Sequence, residues 1–414
     1  MKLEALTEFR VLLLGFTVPD DVIERICRTD KFMPVQTHKL AWSVVRGLEA
    51  HAVVIDLISS EPVGTYPSNK QIFFKFNKWC RDNGSWNVMM PFINLIGIKH
   101  ITRFFAAFIL VGWWAIQTRN EHNRCILLHG VHSPFLYAAL AIRQLSQVKV
   151  VTITSDPPGV ALTGEVFFIR LLRRVDAGII TKALRTMDGL ITLTKQLAQH
   201  YAPQVPSIVV EGILYAEDYA KESAITKIPD GSNSSSYFTI LYAGGLQHEY
   251  GVDLLLKAFS LIMDTSFRLL ILGKGDLAEQ IKIASKTDDR IVFKGFCSQS
   301  EVKELLSDAT VLINPRPSDQ TFTQFSFPSK TIEYMVSGRP VISTRLAGIP
   351  DEYFSHIIPL ENETPEDLCA LFLRLKTIPR SYLEAIGVNA RNYILKNKNE
   401  MHQGQRILKF LKQI

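Results

Sequence analysis

"FSFPSKTIEYMVSGRPVIS", residues 325–343, is the stretch on which the reading of the chain turns. Pro328 ends an extended segment, Ser329 is placed to cap, and Thr331 to Val336 turn helically. Gly338 closes the helix and Val341-Ile342 begins a buried strand. The start of such a helix is positive and carries free N–H groups, and Lys330 stands beside it. That combination is an anion site. Glu333 lies one turn inside, on the same side as Lys330. The stretch therefore asks which anion is bound and what the carboxylate holds.

Working outward, apolar runs alternate with helical patterns, as parallel α/β layers require. In the first half the runs are 10–15, 51–57, 125–130, 148–154, 189–194 and 207–212. The polar stretch "KIPDGSNSSS", 227–236, reads as a linker or exposed loop. The pattern then restarts at 237–245, 267–275, 290–295, 309–313 and 340–344. Two doubly wound sheets in tandem are expected, with ligands at the carboxyl ends of the strands in a cleft between domains. The domains are placed at 1–215 and 216–395, with a terminal helix at about 396–414 packing back on the first.

Bulk properties fit two folded domains. The chain has 414 residues, 47% of them hydrophobic and 21% charged. Its five cysteines are scattered, with no CxxC pair, which argues against a disulfide framework or zinc site and for a reducing compartment. The opening "MKLEALTEFR" does not read as a secretory signal. Through Tyr215 there are 23 Lys+Arg against 16 Asp+Glu, while the remainder is almost balanced. A basic first half suits anionic lipid headgroups; ordinary surface charge explains it equally well, and no nucleic-acid partner is expected.

Residues 89–117 are strongly apolar and aromatic, but Lys99, His100 and Arg103 interrupt them. The longest uncharged run after Arg103 is 13 residues, against about 20 for a span. A helix packed on the domain or lying in a membrane interface is expected. In the second case Lys99 and Arg103 would face anionic lipid, with Phe104, Phe105, Trp113 and Trp114 inserted.

Further features fall at strand ends. "YAGGLQHEYGVD", 242–253, sets Gly244 and Gly245 before a helix, so that backbone amides can approach a phosphate. "ILGKGD", 271–276, is a second Gly-rich turn, and its Lys274 either reaches a phosphate or is solvated. At Lys294-Gly295-Phe296 the backbone could read a base edge, and Arg316 follows another strand in "INPRP". In the first half, residues 12–50 read as a strand, a long loop and a helix from about Thr37, with Gly15 and Gln36 as candidate ligand contacts. His129 and His132 read as packing or capping histidines.

In this order the motifs resemble the family-4 glycosyltransferases, and most closely the bacterial branch that builds capsular, exopolysaccharide and O-antigen chains. The resemblance is strong over 237–355 and holds in outline elsewhere. It implies a GT-B fold of two Rossmann-like domains, the donor mainly on the second and the acceptor mainly on the first. It implies transfer with retention and without a metal, so no cofactor is expected beyond a UDP- or GDP-linked donor. Glu333 matches the glutamate that holds ribose hydroxyls in the family.

There are departures. The family's first glutamate falls at Phe325, and the basic residues of its first Gly-rich loop are replaced by Gly245 and Tyr250. Arg316 and Lys330 are the expected substitutes on the diphosphate, with Ser329 beside them. Asp156 stands where the family often has a histidine near the reacting sugar; it either holds a sugar hydroxyl or the developing cation, or simply forms the turn before two prolines. The expected enzyme moves a hexose to a lipid-linked or glycan acceptor in surface-polysaccharide synthesis, at the inner face of the membrane. The alternatives are a non-catalytic sugar-nucleotide-binding partner of another transferase and a GT-B epimerase.

Overall fold

A computed structural model describes residues 9–30, 35–81, 84–121, 123–159, 167–214 and 237–414. The polar stretch 227–236 lies outside these. The chain divides into two compact units, Met1–Ile213 with Glu400–Ile414, and Leu214–Asn399.

The first unit is built on β1 (Arg10–Gly15), β2 (Val54–Ser59), β3 (Phe73–Phe74), β4 (Asn77–Trp79), β5 (Asn87–Met89), β6 (Phe92–Ile93), β7 (Arg124–His129), β8 (Lys149–Thr154), β9 (Gly189–Thr192) and β10 (Ser207–Val209). Eight of them form one sheet in the order β10-β9-β8-β7-β1-β2-β5-β4. Its pairs are parallel except β4 on β5. Near-continuous apolar runs such as "RVLLLG" suit a sheet covered on both faces. Its helices are α1 (Asp20–Thr29), α2 (Val35–Glu49), α3 (Ile98–Gln117), α4 (Ser133–Ser146), α5 (Phe167–Leu184) and α6 (Lys195–Tyr201). Strand alternation divides the core into two layers. Leu12 and Leu14 pack with residues of α3 and α4, whereas Val11 and Leu13 face α2 and the terminal helix Glu400–Gln413. That helix lies against α2 with the backbones touching, since a Cβ on Gly404 would stand 2.1 Å from Gly47 O.

Two expectations need correction. The loop expected after β1 contains α1, which starts beyond Pro19 with Asp20 and Asp21 in its first turn and Arg28 in its last, the polarity the helix dipole favours. The cations of 89–117 do not face outward. α3 runs from Ile98 to Gln117, and Lys99 and Arg103 are on its buried side, 5% and 4% exposed. Lys99 Nζ donates to Val63 O at 2.6 Å and Arg103 Nη2 to Glu61 O at 2.8 Å. The guanidinium also lies 4.4 Å from the Phe92 ring centroid. Burial, reinforced by the nearby Arg103 charge, pushes the Lys99 ammonium down to about 7. Trp114 is buried too, and its indole N–H donates to Asp56 at 2.7 Å. No helix of the described residues is long and apolar enough to cross a membrane.

The second unit carries an all-parallel sheet of β11 (Phe238–Gly245), β12 (Phe267–Lys274), β13 (Ile291–Gly295), β14 (Val311–Asn314), β15 (Val341–Thr344) and β16 (Ile358–Leu360). The order is β13-β12-β11-β14-β15-β16. The reversal from β11-β12-β13 to β14-β15-β16 puts the topological switch point between β11 and β14. That is where open α/β sheets bind ligands.

Candidate active site

The switch point gathers most of the expected donor residues. Gly244 and Gly245 end β11, paired with Gly273 and Lys274 of β12. The helix Lys330–Val336 stands beside them because Tyr334, 1% exposed, clamps the strand. Its hydroxyl donates to Ala243 O at 2.9 Å and accepts from Ala243 N at 2.8 Å. The local sequence therefore fixes Lys330 one turn before, and Glu333 immediately before, the residue that grips the strand bearing both glycines. Lys330 Nζ meets Glu333 Oε2 at 2.9 Å, with the side chains 40% and 32% exposed. The two expected ligand-binding charges thus neutralise each other.

Ser329 does not cap as expected. It occupies the N-cap in αR conformation and makes no side-chain cap hydrogen bond. The turn is closed instead by Thr331 N donating to Pro328 O at 2.8 Å.

Arg316 follows β14. Its guanidinium packs 4.7 Å from the Tyr250 ring centroid and 5.5 Å from that of Phe322. Its Nε is buried without a partner, and among the described residues no carboxylate pairs with it. Burial lowers its pKa from the ordinary guanidinium value. An unpaired, desolvated guanidinium held between two rings is a strong anion receptor. Tyr250 occupies one of the positions where a basic residue is expected, and its ring packs against Arg316, the expected substitute.

The glycines divide by role. Gly251 has φ 76°, and a Cβ there would lie 1.8 Å from Pro315 O. Gly273, φ 142°, would place a Cβ 1.8 Å from Gly244 O. Both serve backbone-to-backbone packing, so the turn at 271–276 carries a structural requirement of its own. Lys274 lies with its Nζ 5.1 Å from the centroid of the Phe296 ring, which is 76% exposed.

The most telling feature was not legible in the sequence. Several buried polar atoms without a protein partner lie at or beyond the carboxyl ends of β11, β14 and β15 and at the start of the helix Lys330–Val336: Gln247 Oε1, Asn314 Nδ2, Arg316 Nε, Ser326 Oγ, Thr331 Oγ1 and Thr344 Oγ1. Buried polar groups are normally satisfied, so such a cluster marks a surface shaped for a polar ligand.

Asp156, Gly15 and Gln36 belong to the first unit. Asp156 is exposed after β8 and accepts from Ser155 Oγ at 2.7 Å. Gly15 is buried at the end of β1, where a Cβ would stand 2.7 Å from His129 Cβ. It thus leaves room for that ring. Burial pushes the His129 imidazole down to about 4. Gln36 falls in α2, and its side chain lies outside the described residues. Ser60 Oγ, His129 Nε2 and Thr154 Oγ1 are buried and unpartnered at the carboxyl ends of β2, β7 and β8.

Two Rossmann-like units, one with an unsatisfied polar site at its switch point, define the GT-B class of fold. Residues 237–376 match the family model described as glycosyl transferases group 1, in keeping with the motifs of that stretch. Among curated proteins it is similar to the amylovoran biosynthesis glycosyltransferase AmsK of Erwinia amylovora, 28% identical over 27% of this chain and 29% of that one. It is also similar to the putative colanic acid biosynthesis glycosyltransferase WcaL of Salmonella typhimurium, 27% identical over 36% and 38%. The matched segments thus span only 29% and 38% of these relatives' lengths. Among solved structures, apo OtsA aligns with TM-score 0.64 at 12% identity, covering 98% of this chain and 100% of that one. HepE of Anabaena in complex with UDP aligns with TM-score 0.59 at 12% identity over the same shares. At such identities these likenesses establish the fold.

Proposed function

We propose that this chain transfers a hexose, with retention, from a UDP- or GDP-linked donor to a lipid-linked or glycan acceptor in surface-polysaccharide synthesis. The supporting observation is the cluster of unsatisfied polar atoms and the unpaired Arg316 at the switch point of a group 1 glycosyltransferase domain. The relatives named for amylovoran and colanic acid synthesis favour a polysaccharide product, and the bound UDP of the HepE structure favours a nucleotide-sugar donor.

In this reading the sugar C1–O bond to the diphosphate breaks while a bond from C1 to the acceptor oxygen forms on the same face. The acceptor's proton passes to the leaving phosphate. Negative charge grows on the diphosphate, and Arg316 and Lys330 are the cations available to meet it. They hold the leaving group without a metal. Gly244 and Gly245 let the backbone approach, and Ser329 adds a hydroxyl beside Lys330. The ribose hydroxyls draw Glu333 out of its pair, which frees Lys330 for the phosphates. Ser326, next to Phe325, offers a hydroxyl to the sugar in place of the family's first glutamate. Phe296 and Lys274 flank the base, and Asp156, Gly15 and Gln36 serve the acceptor. Work on a lipid-linked acceptor places the enzyme at the inner membrane face, peripherally attached.

Glu333→Gln tests the ribose contact. A neutral amide holds hydroxyls less well than a carboxylate, so affinity for the nucleoside diphosphate falls by about tenfold. The 2′-deoxy analogue loses less on the same substitution. Equal binding of ribo and deoxy forms by the wild type would remove Glu333 from the role. The Phe325 substitution favours one second reading, a chain that binds donor for another transferase without turning it over. Release of nucleoside diphosphate separates the two.

A further inference from the structure

α3 is apolar on both sides, and the fold uses only one. Its buried side carries Ala107, Val111, Trp114 and Ala115 with the two cations. Its outer side carries Ile101, Phe105, Ile109, Trp113 and Ile116, which are 57%, 57%, 65%, 45% and 65% exposed. The spacings of three and four residues make these a single stripe along a helix of 20 residues, about 30 Å long. A helix apolar all round is ordinarily enclosed by protein or lipid. An exposed apolar stripe of this extent is a binding surface.

The neighbouring helices extend it. α3 packs along α4, and α4 meets α5. A groove of about 580 Å³ opens among the three, lined by Phe104, Pro134, Tyr137, Ala141, Asp176 and Ile179. α5 exposes Leu171, Leu172, Val175 and Ile179, and Arg170, Arg174 and Lys182 are exposed between them. Asp176 is the one acid in the sequences of α3, α4 and α5. Three helices whose exposed charges are overwhelmingly positive, with a straight apolar ridge beside them, are complementary to one partner in particular: a planar apolar layer under a negative surface.

We propose that the α3–α4–α5 face of the first unit docks on an anionic lipid bilayer, with the α3 stripe at the boundary of headgroups and chains and the α5 cations on the headgroups. This rests on the reading of a membrane acceptor and deepens it. It assigns the contact to Ile101, Phe105, Ile109 and the α5 arginines, and removes Lys99, Arg103 and Trp114 from it. Each surface cation contributes a factor of about five in affinity, so removing two costs about thirtyfold.

Vesicle sedimentation tests this on the full chain. Wild type is expected to pellet with phosphatidylglycerol-containing vesicles and to remain in solution with pure phosphatidylcholine. The Ile101→Ser, Phe105→Ser, Ile109→Ser triple variant should lose binding. All three side chains already face solvent, so the fold should survive. Arg170→Ala with Arg174→Ala should bind about thirtyfold more weakly at low salt. Three results would each overturn the proposal: no binding to anionic vesicles, equal binding to both compositions, or binding indifferent to the triple variant. So would a wild-type dimer that the triple variant dissociates while vesicle binding is absent. Melting shifts caused by nucleoside diphosphates, followed in the same preparations, report the donor site separately. If they persist while vesicle binding fails, the docking surface is wrong and the donor reading stands.

Discussion

Lys330→Ala lowers turnover by roughly tenfold to a thousandfold, the range for one lost electrostatic contact to a developing anion. Affinity for the nucleoside diphosphate falls much less. Both parts follow from the pairing at the site. Before donor binds, Lys330 rests on Glu333 at 2.9 Å. An exposed pair three residues apart contributes only about 0.3–0.5 kcal/mol, so the variant melts close to wild type. In the proposed mechanism the carboxylate turns to the ribose on donor binding, and Lys330 is released to the diphosphate as its charge grows. Its largest contribution therefore falls in the transition state. Lys330→Ala also leaves Glu333 unneutralised beside an anion, which adds to the loss. Lys330→Arg keeps the charge and should recover part of the rate. Single-turnover kinetics with equilibrium titration check this, and an unchanged rate in a folded variant would remove Lys330 from the chemistry.

Asp56→Ala destabilises the first unit by about 3–5 kcal/mol, the range for breaking a buried ion pair from one side. Asp56 on β2 is fully buried. Its carboxylate accepts from Arg10 Nε at 2.6 Å, Arg10 Nη2 at 3.2 Å, Trp114 Nε1 at 2.7 Å and Trp86 N at 2.7 Å. The alanine strands a buried indole N–H and a backbone N–H and deprives a half-buried guanidinium of its main partner. Arg10 keeps its contact with Glu121 at 2.7 Å, which limits the loss. The assay is selective, because all five tryptophans fall between Trp42 and Trp114 in the first unit. Their fluorescence during urea unfolding reports that unit alone. An unmoved midpoint would show that the network is not what holds β2, α3 and β1 together.

Local signals made the sheets legible. "RVLLLG" and "YFTILYAGG" announce β1 and β11 by continuous apolar runs, and Gly338, φ 79°, ends the helix Lys330–Val336 as its position implies. The strands β3 to β6 escaped notice because each is two or three residues long and shows no alternation. β16, Ile-Pro-Leu, carries a proline that argues against a strand, and it sits at the sheet edge, where a missing N–H is tolerated. α1 was concealed in a loop that lacks an apolar run. The roles of Lys99 and Arg103 could not be read locally, because their partners are carbonyls of Val63 and Glu61, more than thirty residues away. The aromatic box around Arg316 likewise draws Tyr250 and Phe322 from separate segments. Such long-range pairings make a site, and a motif names only one side of each.

The proposed function requires a nucleotide-sugar donor at the switch point of the second unit. Incubating the purified chain with a panel of UDP- and GDP-linked hexoses, and following thermal melting together with release of nucleoside diphosphate, tests this most directly. The prediction is that one base class raises the melting temperature with the logarithm of ligand concentration and that its sugar nucleotide is turned over, with both responses diminished in Glu333→Gln and turnover lost in Lys330→Ala. A panel in which no sugar nucleotide shifts the melting and none releases its nucleoside diphosphate would contradict the account.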